Sequence, residues 1–223
     1  MDIKIEILRL KIILLHILKM DNYSKTKIYY QVRKTTVEML EDRHFVVTDE
    51  DKNLPYQEFA SRFEENQINI VANHSSDTNK LAYISYILET RTFSKKDLLN
   101  LKAFIDENYP KKEMTVIIIV QEKPTPQIAK ELLNDEFKFY EIFLTKNLMF
   151  NITHHEIVPK HILLNEEESK KVLDEFQATK TQLPKLLSSD PVAKYYGMKT
   201  GDICKIIRHS PMTGESYYYR MVK

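Results

Sequence analysis

The hydrophobic and polar positions of this chain follow two periods in turn, and the switches between them outline its elements. After Ser24, a residue suited to a helix N-cap, Ile28, Val32, Val37 and Leu40 recur at helical spacing. His44 to Val47 is a short strand candidate. Pro55 to Glu64 reads as a short helix with Tyr56, Phe59 and Phe63 on one face. Ile68 to Ala72 and Leu81 to Glu89 read as strands, and Ser94 caps a helix whose apolar side carries Leu98, Leu101, Ala103 and Ile105. Met114 to Val120 is a short β-branched run, the pattern of a strand buried on both faces. Thr125-Pro126 opens another helix, with Thr at the cap and Pro at the first helical position, and Glu136 to Leu144 and Leu148 to Ile152 read as extended. Helices alternating with strands around a buried run predict a three-layer α/β domain.

The pattern changes near Thr153. His154 to Leu164 is extended and interrupted by Pro159. Asn165 followed by Glu166, Glu167 and Glu168 starts a helix running to about Gln177, with acids where the helix dipole favours them. Asp190-Pro191 starts a second helix that Gly197 ends. Gly201-Asp202 turns into a strand from Ile203 to Arg208, and Ser216 to Val222 is the return strand. This predicts a small α+β domain finished by a hairpin. The glycines agree with a change in construction. All three, Gly197, Gly201 and Gly214, lie in the last 27 residues, so turns in the first part must use Asn, Asp and Pro.

Composition narrows the function classes. A 223-residue chain with 43% hydrophobic and 29% charged residues suits a soluble globular protein of one large domain or two modest ones. A formal net charge of +1 gives no global basicity, so any nucleic-acid contact is expected to be peripheral. Cys204 is the only cysteine, which excludes an internal disulfide and fits a reducing compartment; the Asn73-His-Ser and Asn151-Ile-Thr patterns then read as chance. No apolar run reaches the length of a membrane span. Residues 1–22 form an extension. Its Ile/Leu-rich stretch, broken by Lys4, Glu6, Arg9 and Lys11, lacks the form of a signal peptide and reads either as an extra amphipathic helix or as non-native upstream sequence.

No catalytic constellation emerges. His154-His155-Glu156 with His161 suggests a metal, but Pro159 stands where a helical zinc-protease pattern needs its second histidine. Glu122-Lys123 after the buried run resembles the end of a restriction-type nuclease motif, without the intervening residue and without an upstream acidic partner. A glycine-free first domain cannot hold a Gly-rich phosphate loop. Cys204, mid-strand, reads as an inert thiol. Tyr217-Tyr218-Tyr219 with Arg208 and Arg220 is either an aromatic-basic nucleic-acid surface or core and protein interface, with at least one strand face in the core. No metal, cofactor or small-molecule substrate is expected.

Two stretches are more specific than composition explains: Asn151-Ile-Thr-His-His-Glu-Ile-Val-Pro-Lys-His161 and Gln182-Leu-Pro-Lys-Leu-Leu-Ser-Ser-Asp-Pro-Val-Ala-Lys-Tyr-Tyr-Gly-Met-Lys-Thr-Gly-Asp-Ile-Cys-Lys-Ile-Ile-Arg208. Together they closely resemble the C-terminal domain of the fifth-largest, shared subunit of eukaryotic DNA-directed RNA polymerases, a region that its archaeal counterpart also resembles. Val120-Gln121 followed by Thr125-Pro126, and a first helix ending near Arg43 before a strand, resemble that family's N-terminal domain more weakly.

The resemblance implies a nuclease-like jaw domain over residues 23–150 and an assembly domain over 151–223. It implies that the assembly domain docks on the largest polymerase subunit among others. It also implies that the jaw lies near downstream DNA, with Thr125 and Pro126 on the DNA-proximal side. Catalysis would belong to other subunits. Pro159, His161, Lys205, Arg208 and Arg220 are the expected partner-binding residues: the proline pre-sets backbone geometry, and the cations offer charge-assisted hydrogen bonds. The hairpin loop departs from the family's Arg-x-Ser-Glu-Thr-x-Gly-Arg pattern at Pro211, Met212 and Glu215, the last a charge reversal. That divergence leaves two localisations open: the nucleus, or a virion or host cytoplasm if the source is a large DNA virus with its own polymerase. The rival reading is a free-standing regulator that binds polymerase transiently; a metal-dependent nuclease on the first domain is a third.

Overall fold

The computed structural model describes residues 25–77, 79–88, 92–110, 112–210 and 214–223. The expectations for residues 1–22, the Ser24 cap and the loop positions Pro211 and Met212 lie outside these. The chain divides into two compact units, up to Phe150 and from Asn151 to Lys223.

The first unit is built on a five-stranded mixed sheet, ordered β1-β2-β3-β4-β5. Its strands are β1 (Phe45–Val46), β2 (Ile70–His74), β3 (Lys80–Tyr86), β4 (Glu113–Val120) and β5 (Tyr140–Leu144). β1, β2 and β3 pair antiparallel, and β3, β4 and β5 pair parallel. Each parallel crossover carries a helix: α4 (Lys95–Asn108) between β3 and β4, and α5 (Pro126–Glu131) between β4 and β5. Strand alternation sends Met114, Val116, Ile118 and Val120 to one face of β4, where they pack with Leu98 and Ile105 of α4 and Ile128 of α5. Ile117 and Ile119 point to the other face and are fully buried. A central strand covered on both sides needs such a run, since each fully buried aliphatic side chain contributes roughly 1.5–3 kcal/mol.

The opposite face is covered by the first helix, α1 (residues 25–42), and by α3 (Tyr56–Glu64). Tyr29 of α1 lies 5.4 Å from the Phe63 ring of α3 and 6.3 Å from the Tyr86 ring of β3, and its hydroxyl donates to the Ile87 carbonyl at 3.1 Å. Arg33 is 3% exposed there; it donates to the Ile68 carbonyl at 2.9 Å and pairs with Asp51 of the short helix α2 (Asp49–Lys52) at 2.7 Å. At the end of α1, Arg43 pairs with Glu141 of β5 at 2.8 Å. Helices on both faces of one sheet give this unit three layers.

Several expectations shift in detail. The strand expected over Glu136 to Leu144 is shorter. Asp135–Phe137 forms a 3-10 turn whose Phe137 is buried in the core, and β5 begins only at Tyr140. The extended reading of Leu148 to Ile152 fails: Thr145–Asn147 and Ile152–His154 are 3-10 turns, and Asn151 caps the second by accepting from the Thr153 amide. At the second place the Asn151 side chain takes up a backbone amide locally, and at the first Phe137 is drawn into the core; alternation alone reveals neither. The glycine-free turns use left-handed backbone at His44 (φ 65°) after α1 and Asn66 (φ 59°) after α3. Asparagine and histidine are both among the non-glycine residues enriched in that region.

The second unit is a four-stranded sheet ordered β6-β8-β9-β7, with two helices. Its strands are β6 (Lys160–Leu163), β7 (Lys185–Leu186), β8 (Ile203–Ser210) and β9 (Gly214–Val222); the helices are α6 (Glu166–Glu175) and α7 (Pro191–Tyr195). Asn165 and Glu168 complete a reciprocal capping box at the start of α6. Asp190 accepts from the Val192 amide at 2.8 Å, and Gly197 takes φ 64° beyond the end of α7. Leu186, Ala193, Met198, Cys204, Ile206 and Val222 form the core. β7, only two residues long, was not foreseen.

Candidate docking site

The register of the second sheet decides which expected residues share a face. Cys204 lies opposite Arg220, Ile206 opposite Tyr218 and Arg208 opposite Ser216 across β8 and β9. On the other side of β8, Leu163 pairs with Cys204 and His161 with Ile206. Directly opposed residues project to the same face, so His161, Arg208, Tyr218 and Arg220 are brought together. Lys205 pairs with Tyr219 and Ile162, which puts it on the opposite face. The expected set is therefore split, four residues against one when Pro159 is counted with His161.

Pro159 acts through its carbonyl, which lies 2.7 Å from His161 Nδ1. A carbonyl can only accept, so Nδ1 carries the proton and Nε2 is the nitrogen left for another partner. Arg208 is exposed, and its guanidinium lies 4.9 Å from the centre of the Tyr218 ring. Arg220 donates to the Lys185 carbonyl at 3.4 Å. Across the sheet, Lys205 Nζ sits 4.2 Å from the centre of the Tyr217 ring. Tyr217 and Tyr218 are 51% and 48% exposed, whereas Tyr219 lies against Phe176 at 5.6 Å. Each of the first two presents a ring with a cation on it.

Among the described residues, Lys205, Arg208 and Arg220 have no carboxylate partner. Glu215, the acid of the two hairpin strands, accepts from Tyr217 at 2.9 Å and lies 3.5 Å from His209 Nδ1. Burial pushes the Cys204 thiol up to about 11, so the thiolate is not formed at neutral pH.

The remaining candidates sit apart from this face. His155 Nδ1 receives the Ile157 amide, and Asn151 donates to the Tyr195 hydroxyl at 2.9 Å. Among the described residues no three metal-ligating side chains converge. In the first unit, Glu122 accepts from the Thr92 hydroxyl at 3.3 Å. Thr125 occupies the N-cap position of α5 but makes no side-chain cap bond; Pro126 beside it is exposed. No described helix is long and apolar enough to cross a membrane.

Comparison with known proteins decides the family. Residues 150–222 match the model of the RNA polymerase Rpb5 C-terminal domain, and residues 23–107 match that of the RNA polymerase Rpb5 N-terminal domain. The chain belongs to the Rpb5 family. Its Rpb5 relatives include the subunit rpabc1 of DNA-directed RNA polymerases I, II and III from Dictyostelium discoideum, 34% identical over 86% of this chain and 95% of the relative. The RPABC1 subunit from Caenorhabditis briggsae is 30% identical over 91% of this chain and 99% of its own length. Subunit 5B of polymerases IV and V from Arabidopsis thaliana is 33% identical over 87% and 89%. The Rpb5 match covers both units, including the more weakly patterned first one.

Proposed function

We propose that this chain is a non-catalytic subunit of a multisubunit DNA-directed RNA polymerase and works in the nucleus. The carrying observation is that both units match the two domains of one family whose members are named as polymerase subunits, over nearly the whole length of those relatives. In this reading the second unit is the assembly module and docks on the largest subunit. His161, Arg208, Tyr218 and Arg220 form its contact face, and Pro159 sets the proton on His161. Arg208, held over the Tyr218 ring with no carboxylate partner among the described residues, is suited to meeting a partner's carboxylate, because the ring fixes it without neutralising it. The first unit is the nuclease-like jaw beside downstream DNA, with Thr125 and Pro126 on the DNA side. A net charge of +1 suits a peripheral contact there rather than a dedicated nucleic-acid-binding surface.

The division of labour is tested by assaying two samples with Mg²⁺, nucleoside triphosphates and template. The purified chain alone is expected to make no RNA and cut no DNA, while polymerase recovered through a tag on this chain is expected to transcribe. Mg²⁺-dependent cleavage or synthesis by the lone chain would overturn the non-catalytic assignment.

A further inference from the structure

The β8–β9 hairpin is longer than the strands beside it, and this leaves an open edge. β7 pairs only with Met221 and Val222, so β9 has no neighbour on that side from Gly214 to Arg220 among the described residues. The direction of its free backbone groups follows from the ladder. The Val222 amide donates to Asp202 at 2.8 Å, and its carbonyl accepts from Gly201 at 2.9 Å, so Val222 faces β8. Alternation then turns Arg220, Tyr218 and Ser216 toward β8, and Met221, Tyr219, Tyr217 and Glu215 outward. Met221 and Lys223 agree with this direction by donating to Pro184 and Leu186 of the β7 segment at 2.9 and 2.8 Å.

The reason β7 stops is chemical. One step further back, the parallel ladder requires the amide of residue 184 to donate to the Tyr219 carbonyl. Residue 184 is proline and has no amide hydrogen. The main-chain groups of Tyr219 and Tyr217 are therefore left along an edge in line with β7. Both sheet faces beside that edge carry cations without carboxylate partners, Lys205 on one and Arg208 and Arg220 on the other. The edge carries no proline in its described part, so each of its outward-facing residues keeps an amide that can donate.

We infer that the β9 edge from Glu215 to Tyr219 receives an extended, acidic segment of a protein partner, which extends the sheet as a strand beyond β7 and sets carboxylates against Lys205 on one face and Arg220 on the other. The main chain supplies affinity, and the alternating cations select acidic side chains. The inference rests on the reading of this unit as the assembly module, and it adds the mode of docking and the chemistry of the docked segment.

The test is amide hydrogen exchange, resolved by residue, on the free chain and on polymerase purified through it. The Tyr217 and Tyr219 amides should exchange rapidly in the free chain and at least about tenfold more slowly in the complex, while Tyr218 and Arg220 are protected in both. Carbodiimide treatment of the complex should couple Lys205 to an Asp or Glu of a polymerase subunit. Equal exchange of Tyr217 and Tyr219 in the two samples would overturn the inference while leaving the subunit reading intact. Protection already present in the free chain at high concentration would assign the edge to a second copy instead and also overturn it. Recovery of no polymerase subunit at all would overturn the subunit reading itself, and the edge proposal with it.

Discussion

Arg33 shows how much a single residue can carry. Its side chain is 3% exposed, pairs with Asp51 and donates to the Ile68 carbonyl, so α1, α2 and the approach to β2 depend on one guanidinium. Removing one member of a buried pair leaves the other desolvated and unpaired. Arg33→Met should therefore cost roughly 3 kcal/mol, the low end for such pairs, because Asp51 keeps Arg62 at 3.6 Å. Urea unfolding measures this, and a loss below about 1 kcal/mol would show that the pair adds little. Arg208 is the opposite case. It is exposed and rests on Tyr218, so Arg208→Glu should leave stability within about 0.5 kcal/mol of the parent. If Arg208 is an interface residue, the same change should lower recovery of polymerase with the tagged chain by about tenfold or more. Normal recovery would remove Arg208 from the interface. The sequence pointed to Arg208 and Arg220 as cations but could not pair them with a face. That pairing needs the register across the hairpin, which depends on where the loop closes, here at Ser210 opposite Gly214.

At the scale of elements, local signals were the most legible. Ser94 was expected to cap α4, and it does so as a capping box, accepting from the Asp97 amide while Asp97 accepts from the Ser94 amide at 2.9 Å. Ser94→Ala should lower stability by about 1 kcal/mol, read from thermal or urea unfolding; an unchanged midpoint would mean that packing of Leu98 and Ile105 alone fixes the helix. The buried run of β4 and the caps of α6 and α7 were equally visible, because each rests on residues adjacent in the chain. What was not visible depends on distant partners. β7 is recognisable only once Met221 lies beside Lys185, and the 3-10 turn at Asp135–Phe137 breaks an apparently extended stretch because Phe137 is drawn into the core beside β4. The division of Lys205 from Arg208, by contrast, follows from alternation along the strand expected over Ile203 to Arg208, and the structure adds only which residues lie opposite them.

For the whole molecule, buried phenols make stability depend on pH in a definite direction. Burial pushes Tyr86 and Tyr140 up to about 12 from an ordinary 10, and Cys204 up to about 11 from 9. A group whose pKa is raised on folding contributes stability that is complete below its unfolded value and lost as pH rises through the folded one. Unfolding midpoints should therefore hold through neutral pH and fall between about pH 9 and 12, with Tyr86→Phe flattening part of that fall. A fall that is unchanged in Tyr86→Phe would exclude Tyr86 as a contributor.

The central claim, membership of a polymerase, also belongs to this scale. It is tested most directly by affinity purification of the tagged chain from its native cells under moderately high salt, with mass spectrometry of what stays bound. The account predicts the two large polymerase subunits in near-equal amounts with this chain. Recovery of the chain alone, or with polymerase that washes away, would contradict it.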